Sequence, residues 1–220
     1  MFGKLRPLMA AIWRAPASAL VKAGVHPNAV TIVGTVGVVV GAIVFLPRGG
    51  TALFWGALVI TFFVITDMLD GTMARLSGKS SRLGAYLDST LDRMADAAIF
   101  GALVWGFRSD EPATALAALM CLTLGSFVPY AKARAASLGI VTMNGIAERS
   151  DRLVIGLTAT GLVGLGLPLV VLTVTLWLLA AAAAFTVGQR TWSVIKVQME
   201  ENRAGGETPS PSAPADRASS

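Results

Sequence analysis

Apolar residues along this chain fall into long runs, and the breaks between runs are short and either charged or rich in proline and glycine. At the start, Phe2, Leu5, Leu8, Met9, Ile12 and Trp13 recur at three- and four-residue intervals with Lys4 and Arg6 between them. That spacing predicts an amphipathic helix lying in a membrane interface. Pro16 is expected to interrupt it, Ala17 to Val25 makes a second short apolar stretch, and His26-Pro27-Asn28 breaks the pattern again. Six further segments predict membrane-spanning helices: Ala29 to Leu46, Thr51 to Thr66 and on into the charged segment at Asp67, Leu83 to Phe107, Pro112 to Leu138, Arg152 to just before Pro168, and Leu169 to Val197. A bilayer core needs about 20 residues of helix to cross it. From Asn202 onward Gly, Pro, Ser, Ala and Glu replace any apolar period, as in a disordered tail. The pattern therefore predicts an all-α integral membrane protein with an interfacial segment at 1–25, a six-helix domain at 26–200 and a disordered cytoplasmic tail at 201–220.

Composition excludes the soluble alternative. Apolar residues make up 54% of the chain and charged residues only 14%, against roughly a quarter charged in ordinary soluble domains. The mean hydropathy is +0.67. The net charge of +5 does not suggest nucleic acid, because the basic residues sit between apolar runs and no stripe alternates aromatic with basic positions. Every Lys and Arg except Arg48 and Arg108 falls on or toward the side shared by the two chain ends, the Arg75–Arg82 loop and the Lys132–Arg152 segment. The positive-inside rule makes that side cytoplasmic, so both chain ends are expected to be cytoplasmic; the expected location is the cell (plasma) membrane, crossed several times. Cys121 lies alone in an apolar run and has no partner for an internal disulfide. The N-terminal residues lack the apolar block of a cleavable leader.

Against this background the acids stand out. Asp67, Asp70, Asp88, Asp92 and Asp96 fall within thirty residues, near the cytoplasmic ends of the second and third predicted spans. Asp67 and Asp70 are three apart and share a helix face, and the four-residue spacing of Asp88, Asp92 and Asp96 lines them along another. Acids inside membrane helices are costly and point to function. Gathered carboxylates repel unless cations intervene; Arg75 and Lys79 offset part of this and divalent metals offset more. All-oxygen ligands suit Mg²⁺, Mn²⁺ or Ca²⁺, and with one histidine, His26, there is no zinc set. Gly71, Ala74 and Gly84 beside these acids leave room for a ligand against the backbone. The bland alternative is a set of packing glycines around a buried ion-pair network.

The series Asp67-x-x-Asp70-Gly71-x-x-Ala74-Arg75, then eight residues, then Gly84-x-x-x-Asp88-x-x-x-Asp92 resembles the signature of the CDP-alcohol phosphotransferase family at all eight positions. The resemblance implies that Asp67, Asp70 and Asp88 are metal ligands, that Asp92 is the general base, and that Gly71, Ala74 and Arg75 contact the CDP group. It also implies nucleotide contacts from Asn28, Thr31 and Ser81. Asp96 lies outside the signature and is expected as a further metal ligand, with a role in orienting the ligands as the alternative. Two Mg²⁺ ions, or Mn²⁺, are the implied cofactor, and a homodimer is the implied assembly. The chemistry would be attack of an acceptor hydroxyl on CDP-diacylglycerol, with the metals stabilising the leaving CMP and a carboxylate taking the proton.

A second cluster addresses the acceptor. Lys132 and Arg134 end the fourth predicted span, Arg149 and Arg152 open the fifth, and Arg190 and Lys196 lie toward the cytoplasmic end of the sixth. Such residues are either lipid-headgroup anchors or a phosphate pocket. The segments Tyr130-x-Lys132-Ala133-Arg134-Ala135-x-x-Leu138-Gly139 and Gly145-Ile146-Ala147-Glu148-Arg149-x-x-Arg152-Leu153 resemble the actinobacterial phosphatidylinositol phosphate synthases of that family. This implies inositol 1-phosphate as acceptor, with Lys132, Arg152 and Arg190 on its phosphate. Glycerol 3-phosphate, the acceptor of a phosphatidylglycerophosphate synthase, demands a cationic pocket too and is the runner-up. A small ion-coupled transporter would place its acids nearer the bilayer midplane, and a non-enzymatic assembly protein would leave them unexplained.

Overall fold

In a computed structural model of the chain, the described residues are 6–78, 81–142, 145 and 148–206, without the side chains of 6–13, 67, 68, 70, 74 and 204–206. Among them there is no strand. Seven α-helices follow in order: α1 (Arg6–Lys22), α2 (Pro27–Phe45), α3 (Ala52–Ser77), α4 (Arg82–Phe107), α5 (Pro112–Ser137), α6 (Arg149–Gly164) and α7 (Val170–Gly206). A 3₁₀ turn at Leu46–Arg48 continues α2.

Helix boundaries follow local chemistry. Gly24 and Gly78 take φ of 77° and 64°, the left-handed conformation that lets a helix end without a Cβ clash. His26 caps α2, its Nδ1 accepting from the Asn28 amide at 3.2 Å, and Pro27 takes the first helical position where no amide is needed. Ser81 caps α4 by accepting from the Gly84 amide at 2.9 Å. The valine-rich α2 would be a poor helix in water. In lipid every backbone polar group must be satisfied within the segment, which makes the helix obligatory.

Six helices close into a ring, each packing on the next: α2 on α3, α3 on α6, α6 on α7, α7 on α5, α5 on α4, and α4 back on α2. Its middle is filled by Val38, Ala42, Ile60, Ile99, Phe100, Leu103, Leu157 and Leu176 among others, and a residual cavity beside Ile99 and Arg152 measures only about 10 Å³. Close approach closes the seam between α3 and α6: a Cβ added to Gly164 would lie 2.2 Å from the backbone nitrogen of Phe54. Large apolar side chains such as Val33, Ile43, Phe62, Trp105 and Leu178 face outward, which suits lipid and not water. The chain is membrane-embedded.

The six expected spans are met in part, and two local expectations need correction. Among the described residues four segments are long and apolar enough to cross a bilayer: Pro27–Arg48, Ala52–Ser77, Pro112–Ser137 and Val170–Arg203. The other two predicted spans differ for separate reasons. Helix α4 has the length, at 26 residues, but the stretch from Arg82 to Asp96 carries Arg82, Asp88, Asp92, Arg93 and Asp96. Helix α6 has 16 residues, which at 1.5 Å each falls short of a core about 30 Å thick. Pro16 does not interrupt α1, which runs through it to Lys22. A proline removes one rung of a helix, and here tertiary contacts hold the rest: Ala17 is fully buried and packs in a small cluster with Leu69 and Met73 of α3. Residues 201–206 continue α7 as helix where a disordered tail was expected, because the charged run Glu200–Arg203 has good helix propensity and Gln198 bonds Asn202 one turn on. The amphipathic face expected over Phe2–Trp13 and the tail at 207–220 lie outside the described residues.

Candidate functional site

The site forms where α2, α3, α4, α5 and α6 meet. Helix α2 packs on both acid-bearing helices, α3 and α4, and so sets their relation. Asp67, Asp70 and Ala74 fall on the last three turns of α3, but their side chains lie outside the described set. Among the described residues no three His, Cys, Asp or Glu side chains gather to hold a metal.

Where the nucleotide contacts were expected, two helix starts come together. A Cβ on Gly84 would stand 3.3 Å from Ser81 Oγ and 3.4 Å from Asn28 Oδ1, so these three positions share one corner. Among the described residues, a Cβ on Gly71 would meet nothing within 4 Å. Arg75 is exposed and donates to Thr72 Oγ1 at 3.4 Å. Thr31 is buried and donates to the Pro27 carbonyl at 3.3 Å, one turn inside the corner.

The three acids of α4 grade from water to interior. Asp88 is exposed and makes no ion pair among the described residues. Asp92, one turn deeper, has a side chain 20% exposed. Asp96, one turn deeper still, is buried. Two arginines from the start of α6 meet the deeper pair. Arg149 Nη1 lies 2.7 Å from Asp92 Oδ1, Arg149 Nε lies 3.0 Å from Asp96 Oδ1, and Arg152 Nη2 lies 3.3 Å from Asp96 Oδ2. Arg93 Nη2 stands 3.7 Å from Asp92 Oδ2. This is a matched register: acids four apart on α4 face arginines three apart on α6. Both spacings are visible in the sequence, and their complementarity is the signal that would have found Arg149 as a partner of Asp92.

Of the three residues expected on an acceptor phosphate, two lie against α5 and the third belongs to it. The Arg152 guanidinium lies against Gly125, where a Cβ would be 3.0 Å from Cζ and from Nε. The buried Arg190 of α7 donates through Nη1 to the Val128 carbonyl. Lys132 is exposed one turn further along. Positions 125, 128 and 132 follow the three- and four-residue spacing of one helix face, so α5 gathers Arg152, Arg190 and Lys132 along one line. Arg152 Nε and Nη1 and Arg190 Nε are buried without a hydrogen-bond partner.

Comparison with known proteins shows the family. The profile of the CDP-alcohol phosphatidyltransferase family matches residues 24–188. A phosphatidylinositol phosphate synthase of Streptomyces avermitilis is 46% identical over 196 residues, covering 86% of this chain and 80% of that protein. One from Mycobacterium tuberculosis is 42% identical, covering 81% of this chain and 83% of that protein. Crystal structures of the Mycobacterium tuberculosis phosphatidylinositol phosphate synthase superpose closely. With CDP-DAG bound, the TM-score is 0.77 at 40% identity, over 84% of this chain and 94% of that one. In complex with manganese and citrate it is 0.77 at 39% identity, over 83% and 88%.

Proposed function

The chain belongs to the CDP-alcohol phosphatidyltransferase family, and from that premise we propose that it transfers the phosphatidyl group of CDP-diacylglycerol to inositol 1-phosphate, giving phosphatidylinositol phosphate and CMP. The observation that carries this reading is the junction of α4 and α6. A partly exposed carboxylate, Asp92, stands beside a group of arginines suited to a phosphorylated acceptor. The synthase relatives favour inositol phosphate over glycerol 3-phosphate as acceptor, and an enzyme over a transporter.

In the proposed reaction the acceptor hydroxyl gives its proton to Asp92 as its oxygen attacks the phosphorus bearing diacylglycerol. The bond from that phosphorus to the CMP oxygen breaks, and CMP departs to the cytoplasm. Arg149 fixes Asp92 Oδ1 at 2.7 Å, so the side chain is oriented before substrate arrives. Lys132, Arg152 and Arg190 receive the acceptor's phosphate, which satisfies Arg152 and Arg190 donors that are otherwise buried and unpaired. Asn28, Thr31, Gly71, Ala74, Arg75 and Ser81 hold the CDP end.

The donor set fits a hard divalent cation: Asp67, Asp70 and Asp88 supply only carboxylate oxygens, and Asp88 is exposed and unpaired among the described residues. These three would hold two Mg²⁺ ions, with Mn²⁺ as a substitute. When bound, the metal neutralises the pyrophosphate and stabilises the leaving phosphate. The same reading takes the six ring helices as spans of the plasma membrane, α1 as interfacial, both chain ends as cytoplasmic and a homodimer as the working unit.

An acceptor panel tests the assignment. Purified protein with CDP-diacylglycerol and Mg²⁺ is offered inositol 1-phosphate, inositol, glycerol 3-phosphate or serine, and CMP release is measured. Inositol 1-phosphate should be the fastest acceptor. Faster release with glycerol 3-phosphate would replace the acceptor while leaving the family in place.

A further inference from the structure

Asp96 was expected to join the metal ligands, but its surroundings are those of an anchor for cations. Its carboxylate is buried, and each of its oxygens is taken by a different guanidinium: Oδ1 by Arg149 Nε at 3.0 Å and Oδ2 by Arg152 Nη2 at 3.3 Å. Both Asp96 oxygens are thus taken by cations, and a divalent cation brought to that carboxylate would meet the guanidinium groups of Arg149 and Arg152 at close range, where like charges repel. Arg152 also keeps Nε and Nη1 buried and unpaired, a deficit of acceptors and not of donors.

We propose that Asp96 is a positioning residue for acceptor recognition: its two oxygens set the spacing of Arg149 and Arg152, the guanidinium groups that receive the acceptor's phosphate, and through Arg149 they tie that pocket to Asp92. The proposal rests on the reading of the site as one for a phosphorylated alcohol, and it adds Arg149 to the residues that hold the phosphate. Geometry gives each arginine a distinct part. Arg152 is almost wholly buried and lies against Gly125 of α5, so it cannot reorient freely. Arg149 has a side chain 23% exposed and bridges both carboxylates, so it faces incoming substrate. Without the Asp96 carboxylate, two adjacent guanidinium groups would repel, and the accessible one, Arg149, would swing away from Asp92.

The test separates this role from metal ligation. Asp96→Asn is assayed in the full-length enzyme for three quantities: KM for inositol 1-phosphate, KM for CDP-diacylglycerol, and the Mn²⁺ concentration giving half-maximal rate. The acceptor KM should rise about tenfold or more, as for loss of a charge-assisted contact. The other two should stay within about twofold of wild type, a change too small to mark a lost contact. Asp96→Glu, which keeps the charge, should recover part of the acceptor affinity. Asp96→Asn combined with Arg149→Gln should raise the acceptor KM by clearly less than the product of the two single effects, because Asp96 acts in part through Arg149. A raised Mn²⁺ requirement with unchanged acceptor KM would overturn the proposal in favour of a metal ligand, and strictly additive losses in the double variant would overturn it too. Should Asp96→Asn not fold, Asp96→Glu alone and with Arg149→Gln carries the same comparison. A wild-type enzyme preferring another phosphorylated acceptor would refute the inositol assignment alone, since the split in KM is then read with that acceptor.

Discussion

At the scale of single residues, the depth of each acid along α4 separates their roles. Each helical turn moves a carboxylate about 5.4 Å further from water. Asp88 at the exposed end is suited to an ion that arrives from solution with substrate. Asp92 is accessible yet held by Arg149, and Asp96 is sealed behind it. Asp92→Asn retains a side-chain oxygen to accept from Arg149, so the local packing should survive while the proton acceptor is lost. Turnover should fall by about a hundredfold or more, the usual worth of a general base, with binding of CDP-diacylglycerol little changed. CMP release and a lipid-binding assay on the same preparation check this. A variant within about tenfold of wild-type rate would remove Asp92 from the role of base, since a lost general base costs more than that.

Elements show why position along a helix matters more than helix boundaries. The α4–α6 match works because acids at four-residue spacing and arginines at three-residue spacing each fall on one face, whatever residue begins or ends the helix. Helix α5 shows the same economy: Gly125, Val128 and Lys132 mark the face on which Arg152 and Arg190 converge. Pro129 lies inside that stretch and cannot donate to the Gly125 carbonyl, so the α5 ladder is weakest where the two arginines meet it. On the opposite membrane side the ring depends on backbone approach. Gly164→Ala would drive a methyl group into the Phe54 backbone, which cannot swing aside as a side chain can. The substitution should destabilise the protein by about 1–3 kcal/mol, the usual cost of overpacking. It should lower the melting temperature in detergent without changing either KM, because the seam lies far from the acids. An unchanged melting temperature would mean that α3 and α6 are not in contact there.

For the whole molecule, the ring of helices does two things. It buries a continuous apolar core, and it brings the starts of α4 and α6 and the ends of α3, α5 and α7 to one side. The basic bias of that side supports the proposal that it is the cytoplasmic one. A soluble nucleotide end and a soluble acceptor then enter from one compartment while diacylglycerol stays in lipid. Chelation acts at this level, since in the proposed mechanism metal, acids and pyrophosphate would form one unit. EDTA should abolish CMP release, and Mg²⁺ or Mn²⁺ added in excess should restore it. Undiminished activity in chelator would rule out the proposed metal site.

Much of this protein was determined by its sequence alone, because lipid simplifies the physics. With no water to satisfy the backbone, apolar runs must be helices, so their positions and approximate ends follow from hydropathy, whereas the number that cross the bilayer does not, and the aspartate signature is local enough to identify the family. What lay beyond the sequence was everything that depends on which helix faces which. Pro16 is tolerated inside α1 because Ala17 packs on α3, a contact that local propensity does not contain. Asp96 is spaced like a metal ligand along its own helix, but residues of a helix more than fifty positions away take both its oxygens. Arg149 became a partner of Asp92 for the same reason. Spacing within one helix fixes only a face, and the charge met by that face is decided when the ring closes.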